Sequence, residues 1–598
     1  MVRLKKVIII LSIILVSSSV FANTQKYYPV SSKEWQTVNN ICHYAGVVGP
    51  TSFGPVTVGE LMIALDRAEN VLGRAAVSDI RDMLLKNTSF IGFSDDFGYV
   101  NVGGMVSTEI YTQTNTTTYD NNPCSDGFWV IKDYKSRKPI VSLDIDLGLF
   151  DTFYGKFALM GKQQQYAEGR WNEHFTTNMR FNLTYDFPFE AGISLGGRGF
   201  NFIVARDKVS LGEGKTGNTA IGDVFDYQEF LRASYYARIF AIHLNLTSFD
   251  SSHKRAGDDE YTGDDPFSIN SAAFSGWKQI RHSVDYEFVF FNKARFTVAL
   301  ITLLDTDSAF DIRLLNPMMV LHNMCNYHED KILEANNMVT LDFSFAIAPK
   351  WNMYLQVTMD QLQLPGESDE YMGDFEYTDP NAFGALVNLT YTNKFRNGML
   401  NVYAEAVANM PGMYLNEKYY VVEEVEEPKP KEKKIIVTDK LTQNRKNGEN
   451  DNKHCWSQDF LLGYFRDYEY GGNDVAFAGY TYGPDCVVVA LGAEYSVPNK
   501  FSCSSKLQYL AHGEKGRGTK LENYNFTGID TKATVNKMPL VGESVEHTIS
   551  LAVECEYSLF KWLSVNAGVG LAEIINVNFS GKNIFNAQFA IGATINTP

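Results

Sequence analysis

The chain has 598 residues, 53 Lys+Arg against 70 Asp+Glu, a net charge of −17 and 45% hydrophobic residues. Its 40 Phe and 33 Tyr supply more apolar surface than a disordered chain carries, and the negative balance would repel the phosphates of a nucleic acid. Length alone suggests about four domains at ~150 residues each.

The first residues read as an export signal. Arg3, Lys5 and Lys6 precede an apolar run from Val7 to Val16, and Val20 and Ala22 place a cleavage point after Ala22. Cleavage would remove three cations and no acid, taking the net charge from −17 to −20. No later segment offers the ~18 unbroken apolar residues of a helical span, which excludes a multi-span helical membrane protein. The exported chain is therefore expected to be periplasmic, secreted or an outer-membrane barrel. The seven cysteines are scattered, without a C-x-x-C pair, so neither zinc nor a redox motif is indicated and any disulfide stays open.

Residues 23–90 predict a small helical module. Ser31, Ser32 and Glu34 resemble a capping box, Trp35, Val38, Ile41, Cys42 and Ala45 follow at helical spacing, and Gly46 closes the run. Thr57 and Glu60 form a second box ahead of Leu61, Leu65 and Ala68, and a third segment spans 78–86. This module is too small to bury much core alone and is expected to pack on something larger.

From Phe97 onward the apolar period is two. Leu341, Phe343, Phe345 and Ile347 alternate with Asp342, Ser344 and Ala346; Trp351, Met353, Leu355 and Val357 alternate with Asn352, Tyr354, Gln356 and Thr358. His282, Val284, Tyr286, Phe288 and Phe290 oppose Arg281, Ser283, Asp285 and Glu287. Alternating segments of ~10 residues are the signature of a transmembrane β-barrel, although a soluble sandwich or propeller alternates as well. The connections favour the barrel. Tight links at 150–152, 291–293, 349–350, 392–394, 498–500 and 559–561 alternate with long polar ones at about 114–137, 163–190, 250–275, 305–337, 363–379, 409–456 and 512–545. Short periplasmic turns and long external loops alternate in this way. With 97–112 as the first strand and 229–249 as one long strand, 584–596 becomes the eighteenth. The apolar phase shifts near Ile239 and Phe240, where a bulge or an extra hairpin is possible. The fold class is thus an all-β transmembrane antiparallel barrel of about 18 strands over 91–598, with the helices at its periplasmic end or in its lumen.

Enzyme motifs fail. Gly212 to Thr216 resembles a phosphate-binding loop, but the required first glycine falls at 209, which is Val. Neither H-E-x-x-H nor G-x-S-x-G occurs. His322, Cys325, His328 and Glu329 sit together in a polar loop and read as solvated rather than as a metal cluster. No catalytic residue, metal or cofactor is expected. The run 423–434, within a charged insert at about 421–454, cannot bury apolar area and reads as a flexible external loop. Trp129, Tyr166, Trp171 and Tyr261, also in loops, are candidates for stacking on sugar rings, or equally for packing loops together.

Three stretches in order resemble the Wzi capsule assembly family of outer-membrane lectin-like barrels. They are Trp35, Gly46 and Pro55 up to Glu60 and Leu61; Ala205 to Lys208 followed by Gly212 to Asn218; and Arg281 to Ser283 through Leu315, Asn316 and Pro317 to Asp360 and Gln361. The resemblance spans most of 30–410. It implies an 18-stranded barrel with a helical periplasmic plug, whose external loops hold capsular polysaccharide without catalysis. The chain departs from the family in its charged insert near 423–450 and in ending on Pro598. Arg206, Lys208, Arg281, Asp285, Glu287 and Asp360 are expected to face the lumen, lining a wet or plugged interior through mutual ion pairs. The expected partners are surface polysaccharide, outer-membrane lipid and the barrel-assembly machinery; a porin-like channel and a surface adhesin are the competing readings.

Overall fold

Three helices open the chain in the computed structural model, which describes residues 23–85, 91–94, 97–114, 138–163, 183–184, 190–222, 227–250, 278–306, 312–318, 334–361, 382–414, 416–423, 434–436, 452–457, 467–468, 472–473, 479–513 and 545–596. The helices are α1 (Lys33–Ala45), α2 (Val58–Leu72) and α3 (Ser78–Leu85). The Ser32 side chain accepts from Trp35 N, and Thr57 and Glu60 complete a reciprocal capping box. Gly46 ends α1 at φ 71°, a left-handed turn that a side chain resists, and a Cβ there would sit 2.9 Å from Pro349 Cα. The helix therefore stops where it touches the barrel. Val38, Ile41, Cys42, Val58, Leu61, Ala64, Leu65 and Ala68 form one apolar core between α1 and α2. Each fully buried Leu or Ile in such a core contributes about 1.5–3 kcal/mol.

The rest of the described chain is dominated by a single closed barrel of eighteen antiparallel strands, not four domains. Its strands are β1 (Gly98–Gln113), β2 (Val141–Leu149), β3 (Phe153–Gln163), β4 (Glu190–Gly197), β5 (Phe200–Asp207) and β6 (Gln228–Tyr236). They continue as β7 (Phe240–Asp250), β8 (Lys278–Phe290), β9 (Ala294–Thr306), β10 (Glu334–Ala348), β11 (Trp351–Gln361) and β12 (Ala382–Phe395). The last six are β13 (Gly398–Asn409), β14 (Cys486–Val497), β15 (Phe501–His512), β16 (Glu546–Phe560), β17 (Leu563–Ile575) and β18 (Ile584–Asn596). Neighbours in sequence pair, and β18 closes on β1 from Gln588↔Gln113 to Asn596↔Met105.

The total of eighteen agrees with the sequence count, but one of its parts does not. The run 229–249 is two strands, β6 and β7, joined by a tight turn in which Ala237 N donates to Phe240 O. The phase shift near Ile239 marks that hairpin, so the sequence tally holds one strand too many elsewhere. The insert read as irregular also contributes three short paired strands, Asn416–Glu423, Lys434–Ile436 and Asn452–Ser457.

One end of the barrel carries the short turns. At the β8–β9 turn Phe291 and Asn292 both take positive φ, the conformation that matches the twist of a two-stranded hairpin. Phe290, Phe291, Trp351, Phe395, Phe560 and Trp562 stand exposed at this end, forming the aromatic girdle of a membrane-spanning barrel. Above it the outward positions are apolar and exposed, as Val387, Leu389, Val489, Leu491 and Leu507 are. This is the lipid face of an outer-membrane barrel. Cys503 and Cys555, opposite each other on β15 and β16, are bonded, while Cys42 and Cys486 are buried free thiols. Among the described residues no helix is long and apolar enough to cross a membrane, which says nothing against crossing by strands.

The helical module docks at the short-turn end. Val48 N donates to Asn292 O, Lys350 N to His43 O and Thr24 N to Asp151 Oδ1. Lys350 and Lys394 lie over the Tyr44 ring at 5.6 and 5.3 Å.

Candidate functional site in the filled lumen

Behind the docked helices, the chain enters the barrel. Pro50 to Gly54 reach inward, and Phe53–Gly54 pair with Ser210–Leu211, a segment that folds into the lumen after β5. The two inserts are thereby joined, since Gly212 N also donates to Ser52 O. A third insert follows β13. Tyr414 gives its hydroxyl to Thr219 O and its N–H to Asp360 Oδ2, and Tyr480 N donates back to the Tyr414 hydroxyl. A continuous column of backbone therefore runs from the helices to the far end of β11 and β13.

Charge fastens this column to the wall. Glu60, at the start of α2, receives Arg232 of β6 through both carboxylate oxygens at 3.0 and 3.3 Å. Asn201 of β5 adds a third donor at 3.2 Å. Burial alone would raise the Glu60 pKa; Arg232 and His243 beside it, with the N–H of Thr57, hold it below the ordinary value. Arg232 continues to Phe53 O and to His243, whose ring also meets Ser234. Arg295 of β9 donates to Pro50 O and to Glu213, which bridges the first two inserts. Arg232, Arg281 and Arg295 are fully buried. Buried ion pairs of this kind are sound only while every partner is present. His43, near Glu213 but deep in the module, is pushed down to about 4 by burial.

The glycine-rich stretch that resembles a phosphate loop has a carboxylate in its cradle. Lys215 N and Thr216 N each donate to Glu405 of β13 at 2.7 Å, the Thr216 hydroxyl donates at 2.6 Å, and Asn388 adds a bond at 2.9 Å. Successive backbone N–H groups make an anion-binding concavity, and here the anion belongs to the protein itself. Gly212, at φ 133°, leaves no room for a Cβ, which would meet Asn218 Oδ1 at 2.2 Å. Gln356 of β11 clamps the same segment by accepting from Thr219 N and donating to Leu211 O.

Of the six residues expected to line the lumen, Arg281, Asp285, Glu287 and Asp360 point inward and are buried. Arg281 donates to Gln228 at 2.6 Å and Thr247 at 3.0 Å. Arg206 corrects the expectation. It shares the outward phase of Phe200, Phe202 and Val204, pairs with Glu229 and stacks over Tyr227, while Ala205 and Asp207 take the inward phase. Lys208 lies one residue beyond β5 on that same phase, partly exposed, with its backbone N–H on Asp207 Oδ1. Trp129, Tyr166, Trp171 and Tyr261 lie outside the described residues, as do residues 1–22 and the His322 to Glu329 stretch. Sequence reasoning missed Glu60, Arg232, His243, Arg295, Glu213 and Glu405 as fastening groups. A signal existed for four of them: Arg232, His243, Arg295 and Glu405 occupy the polar phase of alternating strands.

The opposite wall is wet. On β1, β2, β14, β15 and β16 the inward Glu109, Asp144, Glu494, Lys506, Glu554 and Glu556 all keep solvent contact. Lys138 reaches Glu556 at 3.2 Å, and its backbone N–H meets Glu109 at 3.2 Å. This side forms a polar, mainly acidic lane beside the column. Among the described residues no group of three or more His, Cys, Asp or Glu is arranged to hold a metal ion.

No family model and no curated protein sequence matches the chain. Solved outer-membrane structures do. Wzi of Escherichia coli, an outer membrane protein involved in group 1 capsule assembly and a carbohydrate-binding β-barrel, is 11% identical with a TM-score of 0.47, covering 94% of this chain and 98% of that one. The outer membrane channel DcaP of Acinetobacter baumannii is 9% identical with a TM-score of 0.33, covering 84% and 98%. OmpT, an outer membrane protein of Vibrio cholerae, is 9% identical with a TM-score of 0.33, covering 84% and 99%. All three are distant likenesses, so the functional reading rests on this molecule's own geometry.

Proposed function

We propose that this outer-membrane barrel is a non-catalytic anchor for surface polysaccharide, capsular or otherwise. One observation carries the reading: the lumen is occupied by a column of the protein's own chain, cross-linked at Glu60, Glu213 and Glu405. An empty 18-stranded barrel has room for an aqueous channel. Here residues 50–54, the start of α2, the 208–222 segment and residues 410–414 and 479–485 take up that room, which favours a rigid platform over a conduit. By sequence the long polar connections, with Trp129, Tyr166, Trp171 and Tyr261 among them, are the candidate contacts for a repeating glycan. Each contact is weak, and many repeats on many barrels retain the polymer through effective concentration. The acidic lane leaves carboxylates to accept from sugar hydroxyls and would repel a polyanion entering the lumen.

The test is the partition of surface polysaccharide between cells and medium, with and without the protein. Anchoring predicts that deletion releases polymer into the medium at unchanged total. Unchanged partition would contradict it and return the choice to channel or adhesin.

A further inference from the structure

Part of the barrel's outer wall is hidden from lipid by the protein itself. On β8 the outward side chains begin as a lipid face should, with Phe290 at 47% and Phe288 at 37% exposure. Two positions further along the same phase the pattern breaks: Val284 is 1% exposed and His282 2%. Leu244 on β7 and Thr302 and Leu304 on β9, also outward by phase, are buried with them. The cover includes the 3₁₀ turn Ile312–Leu315 and the residues just after it. Leu314 is buried, and its backbone is hydrogen-bonded to His282. The Tyr286 hydroxyl donates to Pro317 O at 2.5 Å.

The wall beneath is polar where lipid would demand otherwise. His282, Thr302 and Asn337 stand in one row across β8, β9 and β10 by strand register, and Thr302 donates to Asn337 at 2.8 Å. From Phe290 to His282, at ~3.3 Å per residue and a strand tilt of ~40°, the axial rise is roughly 20 Å, inside the ~25 Å apolar band of such barrels. Irregular backbone at that depth is tolerated only when its polar groups are satisfied. Here several are. Asn316 N donates to Arg313 O, the Asn316 side chain accepts from Met318 N, and two carbonyls are taken by His282 and Tyr286. The largest apolar side chains of the turn face outward, Ile312 at 74%, Met318 at 71% and Leu315 at 38% exposure, beside the exposed Arg313 and Asn316.

We propose that residues 312–318 are a lipid-contacting strap, folded down the outside of the barrel to cover a polar patch and to present Ile312, Leu315 and Met318 to acyl chains of the outer leaflet. The strap is continuous with the apolar belt already formed by Phe288 and Phe290, and this continuity selects lipid as the occupant. The inference rests on the membrane barrel and is independent of polysaccharide binding.

The direct test uses the full-length wild-type protein in vesicles of phosphatidylethanolamine and phosphatidylglycerol doped with a phospholipid bearing a diazirine in its acyl chain. After photolysis, adducts are mapped by mass spectrometry with Phe288 and Phe290 as the internal reference. The strap predicts adducts on 312–318 at a yield comparable to that reference. Labelled reference positions with an unlabelled strap would overturn it, and an accompanying cross-link between chains would give the surface to a second copy instead. As a second measurement, Ile312→Trp and Met318→Trp, each checked for the faster gel mobility of an unheated folded barrel, should add blue-shifted emission quenched by acyl-brominated lipid as strongly as that of Phe288→Trp. Added emission that such lipid leaves unquenched at both positions would also overturn the proposal.

Discussion

Along β6 to β9 the inward-facing Arg232, Arg281 and Arg295 are fully buried against the protein's own inserts, whereas along β1, β2 and β14 to β16 the inward-facing Glu109, Asp144, Glu494, Glu554 and Glu556 remain in contact with solvent. Both walls alternate with the same period, and both put charge on the lumen side. The difference lies in what stands opposite. On the packed side Arg232 and Arg295 meet partners delivered by distant stretches of chain, Glu60 from the helical module and Glu213 from the segment after β5, while Arg281 is held by Gln228 and Thr247 of β6 and β7. On the wet side the acids stay in contact with solvent and meet lysines that are themselves partly exposed, Glu556 with Lys138 and Glu494 with Lys215. Two charges equally legible as lumen-facing therefore have very different energetic weight.

The sharpest way to break this contrast is to remove one member of the buried pair. Arg232→Met leaves Glu60 buried and uncompensated, an expected loss of about 3–5 kcal/mol. It should be read as release of the helical module to protease at denaturant concentrations that leave the wild type intact. Glu405→Ala should follow, at about 3 kcal/mol, because it leaves the Lys215 and Thr216 N–H groups unbound in a buried cradle. Its signature is a lowered denaturation midpoint together with new proteolytic cuts in 208–222.

A third effect depends on pH. His43 is held neutral by burial, with its pKa down at about 4 against an ordinary value of about 6.5. The unfolded chain therefore binds a proton more readily than the folded one, so stability is full above about pH 6.5 and falls as the pH drops towards about 4. The loss amounts to as much as about 3 kcal/mol, and His43→Leu should flatten that part of the stability profile relative to wild type. On the wet side, Lys138→Ala should change stability by no more than about 1 kcal/mol, since a quarter-exposed pair is largely screened. An effect there as large as that of Arg232→Met would erase the distinction between the two walls.

Much of the fold was legible because a membrane barrel obeys strict local rules. Alternation of period two, tight turns opposite long connections, and the Thr57 and Glu60 capping box each need only a few neighbouring residues to be recognised. The hairpin between β6 and β7 was hidden because Ala237, Arg238 and Ile239 carry no Gly, Asn or Pro to mark a turn, leaving only the phase shift. Arg206 was misplaced for a related reason. Charge on a strand suggests the lumen, yet at the end of β5 an outward arginine finds Glu229 and Tyr227. A plugged interior was among the expectations, but the partners that build the column were not legible. Glu405 meets Thr216 across a separation of 189 residues, and Arg232 meets Glu60 across 172. No local pattern announces such partners, and the glycine-rich 212–217 stretch, which fails the phosphate-loop pattern at Val209, does not reveal that its cradle holds Glu405.

The central claim is that the lumen is filled rather than open, and it is tested most directly by conductance of the purified full-length protein in a planar bilayer. The account predicts no steady porin-like conductance from the wild type, with current steps appearing when Glu405→Ala or Arg232→Met loosens the column. A stable open channel in the wild type, unchanged in both variants, would contradict it.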